Sequence, residues 1–138
     1  MNKRTRAREL AMQGLYQLDI QGEDLLGRLQ GFFYENERQT AVRQMAMDWT
    51  KGAWENLAHC DELISGSIIK WNISRLSCVD RAVLRLSVYQ LVFVKDIPPK
   101  VVIDEAIELA KKFSTTQSPS FVNGVLDAIL RKLVKGRD

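Results

Sequence analysis

The sequence predicts an all-α protein of about seven helices arranged as two packed three-helix subdomains. Two patterns predict it: apolar residues recur at spacings of three and four along most of the chain, and strand-type alternation is nowhere sustained. Scale agrees, because 138 residues, 46% hydrophobic and 27% charged, suffice for one domain that buries about two-thirds of the surface its unfolded chain would expose. The chain reads as one domain over residues 1–138, with an N-terminal subdomain to about residue 58 and a C-terminal one from about 59.

The first helix carries Ala7, Leu10, Ala11, Gly14 and Leu18 on one face, and Gly22 with Glu23-Asp24 punctuates its end. An apolar segment from Leu25 through Phe33 follows. A third helix begins near Thr40 with Met45, Trp49, Ala53 and Leu57, and either breaks near His59 or continues through Cys60, Ile64 and Ile68 to Trp71. Ser74 is the expected N-cap of the next helix, which carries Leu76, Val79, Val83 and Leu86 and runs to about Val94. Pro98-Pro99 stops it and starts another, whose apolar face is Val102, Ile103, Ala106, Ile107, Ala110 and Phe113, with acids in its early turns and Lys111-Lys112 at its end. Ser114 to Gln117 is a polar loop. Ser118 as N-cap before Pro119 opens the last helix, with Phe121, Val122, Val125, Ile129 and Leu133 on its face. No repeat or low-complexity linker divides the chain. The aromatic content of 8% implies an aliphatic core.

Charge is more informative in its placement than in its sum of +3. Residues 1–8 hold Lys3, Arg4, Arg6 and Arg8 with no acid, and residues 111–138 hold six cations against Asp127 and Asp138, so the two ends carry +8 and the body −5. A basic surface beside an acidic body suggests one polyanion and a separate basic partner.

The same inventory excludes much chemistry. Cys60 and Cys78 stand 17 residues apart with one histidine in the chain, His59, which is too few ligands for a tetrahedral metal site; reduced thiols and the cytoplasm are expected. The longest apolar uncharged run, Leu86 to Val94, is nine residues against the ~20 that span a bilayer, so no membrane association is expected. No apolar signal core follows the basic start. Nucleophile-elbow, P-loop and dinucleotide-binding glycine patterns are absent, and no enzymatic activity or cofactor is expected. Asp104, Glu105 and Glu108 lie at helical spacing, but Glu108 stands four residues before Lys112, the pattern of a solvated helix face.

What remains is binding chemistry. Arginine-rich segments such as Lys3-Arg4-Thr5-Arg6-Ala7-Arg8 hold phosphates through planar forks of donors and commonly order on RNA; the alternative is a solubilising terminus. Arg4 and Arg8, at i,i+4, are placed to reach one backbone together. Phe121, one turn into a helix, either stacks an unpaired base near free backbone N–H groups or packs in the core at i,i+4 from Val125. Asn123-Gly124 inside that helix suggests close packing or a polar contact. Tyr16 falls off the first helix's stripe, as a partner surface or a boundary position would. Asp80 reads as a local ion pair with Arg81 and Arg85.

Four segments together resemble the NusB family of bacterial transcription antitermination factors. Arg6-Ala7-Arg8-Glu9 with Ala11, Gln13 and Leu15-Tyr16 is similar to the family's opening helix; Trp71, Arg75-Leu76, Val79 to Leu86 and Tyr89-Gln90-Leu91 to its central motif. Ile97-Pro98, Lys100-Val101 with Ile103 to Lys111, and Phe121 to Asp127 complete the pattern. From Gln21 to about Ala53 only helicity supports it. The resemblance implies two three-helix bundles with a seventh helix, and no enzyme. It implies binding of single-stranded boxA RNA in ribosomal RNA leader transcripts, jointly with the ribosomal protein NusE, within the RNA polymerase elongation complex and its other Nus factors. Lys3, Arg4, Arg6, Arg8, Ser118, Phe121 and Asn123 are then the expected RNA-binding residues, and Glu9, Tyr16 and Asp80 the expected NusE-binding ones. Homodimerisation also occurs in the family. Two features depart from the pattern: the loop from Ser114 to Ser120, which often carries acids in the family, has none here, and Asp104 stands where many members have Asn. Two other readings compete, a helical protein-interaction adaptor that binds no RNA and an accessory-domain fragment of a ribosomal-RNA cytosine methyltransferase.

Overall fold

The first helix, α1 (Lys3–Gln21), enters the core within two turns of its start. Asn2 caps it, its side-chain oxygen accepting from the Thr5 backbone N–H at 2.7 Å, and Gly22 ends it at φ 88°, a left-handed conformation that glycine adopts without steric cost. Six consecutive residues, Ala7 to Met12, are buried, so the helix is enclosed on every side where a surface helix would have one dry face.

In the computed structural model, which describes residues 1–69 and 72–136, the chain continues through a 3₁₀ segment, Glu23–Arg28, into α2 (Leu29–Asn36). Then come α3 (Thr40–Glu55), α4 (Leu57–Ser65), a short 3₁₀ turn at Ile73–Arg75, α5 (Cys78–Phe93), α6 (Pro99–Phe113) and α7 (Ser118–Lys135). Seven α-helices and no strand occur among the described residues, as the periodicity predicts. Trp71, Arg137 and Asp138, used in the sequence reading, lie outside them.

Helix α3 packs on α1 and α2 on α3; α4, α6 and α7 pack on α5, and α5 itself lies along α1. The core is mostly aliphatic, Phe33 and Trp49 being its buried aromatic members. Two close approaches seat α3. A methyl group added at Gly14 would stand 3.1 Å from Thr50 and 3.2 Å from the Phe33 ring, and one at Gly52 would overlap the Tyr89 phenol.

One boundary left open in the sequence is decided in favour of a break, and two others differ from the sequence reading. The third helix breaks at Asn56, whose side chain donates to the Gly52 carbonyl at 2.8 Å, and Ile68 follows the end of α4. The N-cap of α5 is Ser77, accepting from the Asp80 N–H at 3.1 Å, because Ser74 is held in the preceding 3₁₀ turn. At α7 the cap position is Gln117 with no side-chain bond, and Ser118 is the first helical residue.

Enclosing α1 also encloses charge. Arg8 is 3% exposed, its guanidinium 5.5 Å from the Trp49 ring centre, 3.7 Å from Glu105 and donating to Gln90 at 3.4 Å. Burial pushes the guanidinium pKa down, Glu105 opposes that, and the charge of Arg4 adds to it. Glu9, 5% exposed, accepts from Lys112 at 3.0 Å and lies 3.5 Å from Arg6. Near the other end of α1, Arg81 and Arg85 close on Asp19 at 2.6 and 3.2 Å, and Arg85 also forks onto Asp61 with two bonds of 2.9 Å. Burial alone would lower the Arg85 pKa; Asp61 first and Asp19 second outweigh it and raise it. Both cysteines are free, and burial beside Asp61 pushes the Cys60 thiol up to about 12.

Two stability effects follow. A glycine replaced by alanine in a helix interior ordinarily gains about 1 kcal/mol, but Gly52→Ala is expected to destabilise by about 1–3 kcal/mol through overlap with Tyr89. A Tyr89→Leu background should recover most of that loss in denaturant titrations, and additive losses would contradict the contact. Arg8→Ala, which leaves Glu105 without its cation, is expected to cost about 3 kcal/mol, the low end of the range for a broken buried pair, because Glu105 keeps some contact with water. A shift in the denaturation midpoint typical of a surface arginine would contradict the buried placement.

Candidate nucleic-acid interface

The basic start of the chain divides where α1 enters the core. Lys3 is exposed with no carboxylate in ion-pair range among the described residues, and Arg4 is half exposed, bridging to exposed Asp96 at 3.0 Å. Arg6 is half-buried and joins α1 to the end of α2, donating to the Asn36 carbonyl at 2.8 Å and to Glu37 at 3.3 Å. Arg8 turns inward. The expectation that Arg4 and Arg8 reach one backbone together is corrected, because Arg8 lies in the covered stretch from Ala7 to Met12 and is 3% exposed. An open cleft of about 320 Å³ lined by Asn2, Lys3, Arg4, Arg8, Val101 and Glu105 leaves Lys3 and Arg4 as its solvent-facing cations.

The C-terminal cations are more engaged than their count implies. Lys111 pairs with Glu108 at 3.3 Å and Arg131 with Asp127 at 2.7 Å, while Lys132 donates to the Gly66 carbonyl. Lys112 pairs with Glu9 across to α1, so Glu108 meets Lys111 at i,i+3 where the spacing had suggested Lys112. The acids at helical spacing are likewise separated: Glu105 accepts from Thr5 at 2.9 Å and faces Arg8, and Asp104 is exposed.

At the far edge, Phe121 packs on the core and keeps part of its ring open. Its ring is half-buried against the core and also lines two open clefts. One, of about 310 Å³, is walled by Arg75, Leu76, Asp80, Thr115 and Gln117; the other, of about 440 Å³, by Ile68, Ile69, Ser120 and Gly124. Exposed Arg75 was hidden in the sequence because the α5 start was placed at Ser74; an isolated cation among Asn, Ser and Ile was its only signal.

Ser118 is buried and serves the fold. With Ser114 it donates to Asp80 at 3.1 and 2.7 Å, and the two hydroxyls meet at 2.9 Å. The expected pairing of Asp80 with Arg81 and Arg85 is therefore corrected: those arginines bind Asp19 and Asp61, and Asp80 anchors the start of α7. Free backbone donors are fewer than expected, since the Ser118 N–H bonds Thr115 at 3.1 Å, Pro119 has none, and the Phe121 N–H bonds Gln117 at 3.2 Å. Ser120 keeps the unpaired amide. Asn123 and Gly124 are exposed, and nothing lies within 4 Å of a methyl built on Gly124, so close packing does not explain them.

The three residues expected to meet a protein partner are not brought together as one exposed patch. Tyr16 is half-buried against the core, the Glu9 carboxylate is covered and paired, and Asp80 is occupied by hydroxyls.

Comparison with known proteins agrees with this architecture. The model of the NusB family matches residues 5–131. A transcription antitermination protein NusB of Geobacter sulfurreducens is 41% identical over 134 residues, covering 96% of this chain and 97% of that one. The structure of T. maritima NusB superposes with a TM-score of 0.86 at 42% identity, over 95% of this chain and 92% of that one. A chain from the crystal structure of antitermination factors NusB and NusE in complex with double-stranded RNA superposes equally well, with a TM-score of 0.86 at 31% identity and coverage of 96% and 98%. The chain belongs to the NusB family of transcription antitermination factors.

Proposed function

We propose that the protein binds the boxA element of ribosomal RNA leader transcripts together with the ribosomal protein NusE, and acts in the cytoplasm within the RNA polymerase elongation complex and its other Nus factors. The observation that carries this reading is Phe121, an aromatic ring seated between two open clefts with exposed Arg75 lining one of them. That pairing suits single-stranded RNA, whose unstacked bases find aromatic faces while cations take the phosphates. Lys3 and Arg4 supply a second cationic point, and the solved complex of a similar chain with NusE and RNA supports the same partners.

Roles within the RNA surface are then unequal. Lys3, Arg4 and Arg75 contribute phosphate contacts and Phe121 a stacking face, with exposed Asn123 beside it. Arg6 contributes by fixing the arm against α2. Arg8 and Ser118 act through the fold, and so does Glu9.

Labelled boxA RNA titrated across a salt series, with NusE present, tests this. Arg4→Ala should flatten the dependence of log affinity on log salt by about 0.7, the value of one phosphate contact on a single strand; an unchanged slope would remove Arg4 from the surface. Phe121→Ala should weaken binding by about 1–3 kcal/mol at every salt concentration. Gln117 is exposed on the wall of the Arg75 cleft, so Gln117→Asp adds a negative charge facing the RNA. It should bind boxA more weakly at low salt and approach wild type at high salt; equal affinity at low salt would contradict an RNA path through that cleft.

A further inference from the structure

A second aromatic and cationic cleft lies between α2 and α3, outside the four segments that carry the sequence resemblance. Between α2 and α3, Gln30, Tyr34, Thr40, Arg43, Gln44 and Lys51 are among the residues that line an opening of about 320 Å³, at the lower end of ligand-sized pockets. Its cations form no ion pair: among the described residues neither Arg43 nor Lys51 has a carboxylate within 4.0 Å. Arg43 is held in place by neutral acceptors, donating to the carbonyls of Glu37 and Arg38 at 2.8 Å each and to the Thr40 hydroxyl at 3.2 Å. Of the nearby acids, Glu37 is bonded by Arg6 and the Gln39 N–H and Asp48 by the Gln44 amide, and Glu55, four residues after Lys51, makes no ion pair with it. The Arg43 guanidinium lies 5.0 Å from the centre of the Tyr34 ring on one face, yet Tyr34 remains 71% exposed, which leaves ring surface open to solvent. The cleft also continues the basic arm, because Arg6 joins α1 to Asn36 and Glu37 and the Arg43 donors meet the same loop.

We infer that the α2–α3 cleft is a second RNA contact, taking an unpaired nucleotide that flanks the boxA element, with its base against Tyr34 and its phosphate held by Arg43 and Lys51. The inference rests on the RNA-binding reading above and extends it to a surface that reading does not use. An exposed aromatic with two cations outside any ion pair is the combination by which sequence-tolerant single-strand sites work: the ring stacks any base and the cations follow the backbone. An acidic protein segment would satisfy the cations but gives no reason for the open tyrosine ring beside them.

The test uses the full chain and two labelled RNAs, a minimal boxA element and the same element with single-stranded flanks on both ends. The flanks are expected to tighten binding roughly tenfold, within the range for one stacked base. Y34A and K51Q should each lose most of that gain while binding the minimal RNA like wild type, and K51Q should flatten the salt slope for the flanked RNA alone by about 0.7. Both side chains are exposed, and a thermal melt matching wild type verifies the fold. Flanks that add nothing, or variants that weaken both RNAs equally, overturn the inference. A free mononucleotide that binds wild type as tightly as the flanks improve the RNA also overturns it, as does weakened NusE binding by Y34A or K51Q without RNA, which would mark a protein site. Failure of wild type to bind even the minimal RNA would instead contradict the proposed function.

Discussion

The charge layout of the molecule depends on one stretch of α1, Ala7 to Met12, that is covered on all sides while carrying two charges. Burying an ion costs several kcal/mol unless a partner compensates it, so an enclosed α1 with Arg8 and Glu9 side by side requires two partners of opposite sign on a neighbouring helix. Glu105 and Lys112, seven residues apart and so two turns along α6, meet that requirement at 3.7 and 3.0 Å. Helix α6 packs on α5 and α7, and the two pairs tie it across to α1. The following loop then has one place to go, and Asp80 receives Ser114 and Ser118 there, setting the angle at which α7 begins and the position of Phe121 above its clefts.

The same enclosure decides which charges face solvent. The crossing from outside to inside falls between Arg6 and Ala7, so within six residues the chain passes from exposed Lys3 through half-buried Arg6 to covered Arg8. A run of four cations that reads as one phosphate-binding unit becomes a short outward arm, a fastener to α2 and a core ion. At the other end of the chain, three of the six cations on α6 and α7 pair with acids, two within their own helix and Lys112 across to Glu9. The basic surface is therefore narrower than the +8 of the two termini implied, and the exposed cations proposed to meet RNA, Lys3 with Arg4 and Arg75, come from two separate stretches of sequence.

Periodicity made the helices legible, since Ala7, Leu10, Ala11 and Leu18 are fully covered as their spacing requires, and the double proline at 98–99 starts α6 for reasons of local geometry. Boundaries set by weaker chemistry were not legible. Ser74 and Ser77 are equally good caps in isolation, and Asn56 interrupts a helix with neither glycine nor proline. Tertiary roles were least visible of all: Ser118 looks like a cap until Asp80 is beside it, and the Leu109 and Leu126 faces of α6 and α7 were missed because both helices are covered on more than one side. Phe121 was legible as an alternative between packing and stacking, and a ring half in the core and half in a cleft shows why no pattern could choose.

Amide hydrogen exchange with and without minimal boxA RNA tests this account most directly, because it reads the enclosed helix and the exposed edges together. In the free protein, Leu10–Leu18 of α1 should exchange only by global unfolding and Lys3–Thr5 far faster. RNA should slow the first turn of α1, the Ser114–Ser120 loop and the first turns of α7, leaving the core of α1 at its original rate. An α1 that exchanges as readily along its whole length as a surface helix, or RNA protection confined to the outer face of α4 and α5, would contradict it.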